Sequence, residues 1–126
     1  MLTANDMERI GRRIVDRCNP WVVGVFGSHA TGYAREGSDL DIFVIKPWLE
    51  SKPARDLAVL RALQGVMYRV DVLTYTPQEF EEGAAEYMSF AWIVVRQAKF
   101  LHVAPEAAGL ISRIDGWPET DRCRLP

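Results

Sequence analysis

The sequence predicts a mixed α/β (α+β) domain, and three observations carry that expectation. Apolar, β-branched runs at 21–26, 39–45 and 69–75 read as strands. Stretches with apolar residues at helical spacing lie before and between them. A chain of 126 residues also has room for one hydrophobic core but not for two. Strands that alternate with helices pack as a sheet covered by helices, although the pattern leaves the strand order open.

Taken in order, Asn5-Asp6-Met7-Glu8 resembles a capping box and opens a helix to about Arg17, with Met7, Ile10 and Ile14 on one face. Cys18-Asn19-Pro20 stops it. The run from Trp21 to Phe26 is a buried strand that ends at Gly27-Ser28. Residues 30–38 hold two glycines and mixed charges, which predicts a loop with no more than one helical turn. Asp39–Ile45 is the second strand, closed by Lys46-Pro47. A second helix starts near Pro53, carries Leu57, Leu60 and Leu63 on one face, and ends at Gly65.

In the third strand, Arg69–Tyr75, alternation sends Val70, Val72 and Thr74 one way and Asp71, Leu73 and Tyr75 the other. Thr76-Pro77-Gln78-Glu79 combines a cap, a proline at the first helical position and an acid at the third. The helical pattern continues to about Gln97 with a break near Gly83, and Lys99–Val103 is a short last strand. From Gly116 the chain is rich in proline and charge. Residues 1–105 are therefore assigned to the domain and 106–126 to a C-terminal helix or tail.

Composition narrows the function. The apolar fraction of 48% and charged fraction of 25% are those of an ordinary globular chain. A net charge of -2 supplies no basic field, which disfavours a long nucleic acid as substrate. No run approaches the ~20 apolar residues of a membrane span, and the first residues lack the pattern of a signal peptide. Cys18 and Cys123 match no metal-ligand spacing. A reduced, cytoplasmic protein without a membrane anchor is expected.

The most informative spacing is Gly27-Ser28, ten further residues, then Asp39-Leu40-Asp41 at the head of an apolar strand. Carboxylates two residues apart on a strand project from the same face. A Gly-Ser turn offers backbone N–H groups and a hydroxyl, which suit phosphate oxygens. Asp71 is a third acid embedded in an apolar strand, where a carboxylate wants a partner. Magnesium is such a partner, because it takes a few carboxylate oxygens, waters and substrate phosphates. Taken singly, an acid at a strand end is more often a solvated edge or a helix cap than a ligand.

Together, Gly27-Ser28-x10-Asp39-x-Asp41 and a later strand with Asp71 resemble the active site of the polymerase-β-type nucleotidyltransferase superfamily. The compact length resembles its minimal nucleotidyltransferase branch, and the likeness spans about Ile10 to Val103. The resemblance implies a sheet with helices packed mainly on one face and a two-metal transfer of a nucleotide, usually from ATP. By position, Asp39, Asp41 and Asp71 would be the catalytic, Mg²⁺-holding acids, with Asp71 helping to deprotonate the attacking hydroxyl. Gly27 and Ser28 would position the β- and γ-phosphates. The resemblance extends to antitoxins that adenylylate a tyrosine of a HEPN-type toxin, which would make such a toxin the partner. Two alternatives remain: a small-molecule nucleotidyltransferase, whose acceptor wall a homo-oligomer would have to supply, and a non-catalytic binding module that kept the fold.

Other features carry less. His29 is either a loop histidine facing solvent or a phosphate donor. Arg96 and His102 have the Arg-x5-His spacing of HEPN-type ribonucleases, but those are helical bundles and position 104 is Ala rather than Tyr. Trp21, Trp48 and Trp92 read as packing residues. The apolar run Phe90–Val95 is buried either within the monomer or in an oligomer, and Trp117 must dock outside its own polar segment.

Overall fold

The structure, a computed structural model, describes residues 2–117. The readings of 118–126, including Cys123 and the end of the tail, lie outside the described residues. Thr3 rather than Asn5 caps the first helix, α1 (Ala4–Cys18). Thr3 and Asp6 stand three residues apart and bond each other's backbone N–H groups reciprocally, at 2.9 and 3.1 Å. Asn19, in the left-handed conformation, ends the helix and leads into β1 (Val22–Phe26). A short turn of helix, α2 (Ser28–Thr31), precedes the loop to β2 (Leu40–Ile45).

Next come α3 (Lys52–Ala62), β3 (Val70–Tyr75), α4 (Pro77–Ala84), α5 (Phe90–Gln97) and β4 (Lys99–Val103). A 3-10 turn, Pro105–Ala107, then leads into α6 (Ala108–Arg113). Thr76 and Glu79 form the expected capping box of α4, and Ser89 caps α5 after the break. Among the described residues, no helix is long and apolar enough to cross a membrane.

The four strands lie in the order β3-β2-β1-β4. β1 is antiparallel to both β2 and β4, whereas β2 and β3 run parallel and need a crossover, which α3 supplies. The mixed α/β architecture is the one expected, but the helices cover both faces of the sheet rather than mainly one. Leu40, Ile42 and Val44 pack with Ile10 and Ile14 of α1 and Val59 and Ala62 of α3. Phe43 and Ile45 pack with Phe80 of α4, Val94 of α5 and Leu110 of α6. A strand that is apolar on both sides needs cover on both sides, and β2 reads as such a continuous run.

Two local expectations resolve differently. On α3 the buried stripe is Arg55, Val59 and Ala62, while Leu57 and Leu60 are exposed; only Leu63, just past the helix end, is buried as expected. Both stripes have helical spacing, so packing against α1 and the sheet made the choice. Within Phe90–Val95, residues Ala91, Val94 and Val95 are buried in the monomer, but Phe90 is 68% exposed. Trp117 docks back onto its own domain, stacked on Phe80 at 5.1 Å and edge-on to Phe100 at 5.0 Å between ring centroids. Residues 107–117 thus contribute Ala107, Leu110, Ile111, Ile114 and Trp117 to one of the two core clusters.

Candidate active site

The parallel pairing of β2 with β3 sets Asp41 directly beside Asp71. Alternation puts both on the sheet face of Phe43, Leu73 and Tyr75, at the end where the two strands begin. Asp39 lies one residue before β2, and the same register extended by one residue brings Arg69 next to it. The Arg69 guanidinium stands there, Nε 3.4 Å from Asp39 Oδ1. Asp71 is exposed, whereas Asp39 and Asp41 are half-buried. Burial, and then the like charges of Asp71 and Asp39, push the Asp41 carboxyl above its usual range; His29 opposes them weakly.

Gly27 closes this group from the next strand. It follows Phe26, which pairs with Asp41, and has φ 73° and ψ −153°, a conformation that favours glycine. A Cβ at this position would collide with Asp41 Oδ2, so any side chain here would also displace the Asp41 carboxylate. The Gly27 carbonyl accepts from the N–H groups of Ala30 (3.0 Å) and Thr31 (3.1 Å) and from Thr31 Oγ1 (3.1 Å). Its N–H donates to Oε1 of Gln97 at 3.0 Å. The turn expected to present backbone donors has therefore already committed one of them. The donors left to a ligand are the Ser28 hydroxyl and the N–H groups of Ser28 and His29, which as the first residues of a helical turn have no acceptor behind them. His29 is half-buried rather than solvent-facing, and its Nε2 lies 3.2 Å from the Ser38 carbonyl, tying the turn to the loop before Asp39.

The donor chemistry fits a hard divalent cation: carboxylate oxygens from two adjacent strands, with Asp41 held at a charge its neighbours oppose. The acids do not form a closed cage. Among the described residues, no group of three or more His, Cys, Asp and Glu side chains is placed to hold a metal ion. Asp39 is turned toward Arg69, an exposed pair of the kind that contributes little.

Two site neighbours, Arg69 and Gln97, escaped the sequence reading. Each becomes visible only when a strand register is known. Arg96 and His102 do not converge on a site: Arg96 sits over the Trp92 ring at 3.7 Å, and His102 pairs with Val23 in the sheet. A groove of about 840 Å³ lies along α4, α5 and α6 beside Glu81, Trp92, Arg96 and Arg113, and none of the three strand acids lines it. Smaller clefts of about 270 and 230 Å³ meet at His29, the second one including Arg35, Ser38 and Arg69. The chemistry of the acids, rather than cavity size, marks the candidate site.

A family model of the nucleotidyltransferase domain matches residues 12–101, which span β1, the Gly27-Ser28 turn and all three acids. The chain belongs to the nucleotidyltransferase domain family. That membership makes it a nucleotidyltransferase. Among curated proteins, none matches the chain significantly. Among solved structures, a toxin–antitoxin crystallised with AMP-PNP is similar with TM-score 0.58 at 18% identity, over 93% of this chain and 91% of that one. Two mutants of the toxin–antitoxin MntA-HpeT are similar at 18% and 19% identity, with TM-scores of 0.58 and 0.53, each over 98% of this chain and 93% of the other. At these identities the likeness establishes a shared fold.

Proposed function

We propose that this nucleotidyltransferase moves AMP from ATP to a hydroxyl acceptor with the help of Mg²⁺, and that the acceptor is a tyrosine of a HEPN-type toxin. One observation carries the reading: Asp41 and Asp71 are paired across parallel strands, with the Gly27 turn packed directly on Asp41. This arrangement brings carboxylates that attract cations against a turn that attracts phosphates. The toxin–antitoxin neighbours, one of them with AMP-PNP, support ATP as donor and a toxin as partner.

Asp39, Asp41 and Asp71 are the acids that would hold the cation. A Mg²⁺ ion held by these carboxylates would supply neutralisation of the charge on the triphosphate and on the attacking and leaving oxygens. Ser28, through its hydroxyl and N–H, and the His29 N–H orient the β- and γ-phosphates, while Gly27 lets the chain approach them closely. Asp71, the most exposed of the three acids, takes the proton of the acceptor hydroxyl. The hydroxyl oxygen bonds to the α-phosphorus, and the bond from that phosphorus to the bridging oxygen of the β-phosphate breaks. Pyrophosphate departs with the electron pair, and AMP stays on the acceptor. A reduced, cytoplasmic setting suits this chemistry, since ATP is its donor.

The test is transfer of label from α-labelled ATP with Mg²⁺ in a lysate of the source cells, comparing the wild type with the Asp39→Asn, Asp41→Asn double variant. A labelled protein band seen only with the wild type supports the reading, and its mass identifies the acceptor. ATP binding without any variant-sensitive label in protein, RNA or small-molecule fractions would instead favour a non-catalytic module.

A further inference from the structure

We infer that Gln97 is a positioning residue for nucleotide binding, holding the Gly27-Ser28 turn over Asp41. The argument begins with the sheet. β1 and β4 pair antiparallel, with Gly24 opposite Phe100 and Val25 opposite Lys99. Two steps further along the same register, Gly27 faces Gln97. At that point β4 has not yet begun, because Gln97 is the last residue of α5 and Ala98 makes the bend between helix and strand. The ladder therefore runs out just where β1 must deliver its turn to the site. Gln97 extends it with a side chain: Oε1 accepts the Gly27 N–H at 3.0 Å, across 70 positions of sequence.

The bond matters because of what Gly27 is. Glycine is the most mobile residue, and Gly27 is held in a conformation that it alone tolerates well. Its carbonyl is already fixed by Ala30 and Thr31. With the N–H fixed by Gln97, the polar groups on both sides of the Gly27 Cα are tied down. The backbone then stays against Asp41, and the Ser28 N–H and hydroxyl keep one position relative to the acids. Gln97 touches neither acid nor substrate in this role. It acts through the turn, so it sets affinity for the triphosphate more than the rate of the proton step.

This inference rests on the proposed nucleotide site, and the test separates the two. Gln97→Met keeps the length and flexibility of the side chain but removes the acceptor. Gln97→Glu keeps an acceptor oxygen while placing a negative charge near the phosphates. Three quantities are measured on the full chain: the Tm, the hydrogen-exchange protection of the Gly27 amide without nucleotide, and the affinity for AMP-PNP with Mg²⁺ by calorimetry.

In Gln97→Met we expect a Tm lowered by no more than a few degrees, about what one hydrogen bond contributes. Gly27 protection should fall about fivefold or more, the loss of one hydrogen bond, and AMP-PNP affinity should fall about as much. Gln97→Glu should restore the protection without restoring the affinity. In a transfer assay, Gln97→Met should raise the KM for ATP more than it lowers kcat. Unchanged Gly27 protection in Gln97→Met overturns the inference, as does unchanged AMP-PNP affinity where the wild type binds. If the wild type binds no nucleotide but Gly27 protection still depends on residue 97, the turn-holding role stands and the nucleotide reading falls alone.

Discussion

The two ends of the β2–β3 pair use the same kinds of residue to opposite effect. At the starting end, Asp41 and Asp71 lie side by side, and the burial and like charge around Asp41 raise its proton affinity. At the finishing end, every acid has a partner. Glu79 caps α4 through the Thr76 N–H and pairs with Arg55 at 2.7 Å, while Asp56 accepts from the Thr74 hydroxyl and lies 3.6 Å from Lys52. Burial pushes the Glu79 carboxyl up, but the Thr76 N–H and the Arg55 guanidinium outweigh it and hold the group below its usual range. One end satisfies its charges internally and strengthens the fold. The other leaves like charges together, an arrangement that costs stability and gains from a cation. Such local inconsistency is characteristic of sites that do chemistry.

The largest way to break this contrast is at Gly27. Gly27→Ala puts a methyl group where Asp41 Oδ2 stands and forces alanine into a glycine conformation. Label transfer from ATP should fall on the order of 10²-fold or more, as when a preorganised group is displaced from an active site. The fold should also lose about 1–3 kcal/mol, read by urea unfolding. A variant with wild-type transfer would mean that the Gly27 turn does not face the substrate.

Next in size is Arg55→Met, which removes the buried cation of the finishing end. Its partner Glu79 is half exposed, so the loss is smaller than for a fully buried pair, about 1–2 kcal/mol. ATP-dependent labelling should be unchanged once the variant is folded, because the change lies at the other end of the strands. Thr76→Ala should cost about 1 kcal/mol through the lost cap, again with normal labelling. If either variant impaired transfer at full stability, the two ends would not be independent.

The smallest effect on stability has the opposite sign. Asp41→Asn removes a carboxylate that burial and its neighbours penalise, so the Tm should rise by about 2 °C while transfer is lost. The pH dependence follows from the raised carboxyl. Between its unfolded and folded pKa values the folded chain binds the extra proton, so this group adds stability as pH falls through the region just above the ordinary carboxylate range. Glu79, held low, works in reverse, and its contribution is lost on acidification. Circular dichroism melts of wild type and Asp41→Asn from pH 4 to 7 would show the Asn variant's advantage shrinking toward the acid end. An advantage that grew toward acid would contradict a raised Asp41.

Much of this was legible in the chain. The strands at 22–26, 40–45, 70–75 and 99–103 follow from apolar, β-branched runs and their stops, and the α4 start at Thr76 follows from cap chemistry. These signals are local: they depend on neighbours within a few residues. Alternation placed Asp71, Leu73 and Tyr75 together on one face, and their packing agrees with it. Where two local answers were equally good, the sequence could not choose. Leu57-Leu60-Leu63 and Arg55-Val59-Ala62 are both helical stripes, and packing of α3 against α1 and the sheet buried the second together with Leu63 of the first.

The chain alone supplies the residue types: a Gly-Ser turn, acids at 39 and 41 heading an apolar run, and a third acid in a later strand. Tertiary structure decided how they meet. The parallel register of β2 and β3 set Asp41 against Asp71 and Asp39 against Arg69, and the antiparallel register of β1 and β4 brought Gln97 to Gly27. The reason is physical. Side-chain direction repeats every two residues along a strand and can be read locally, but the alignment of one strand with another is a choice among registers, made by the packing of both sheet faces at once.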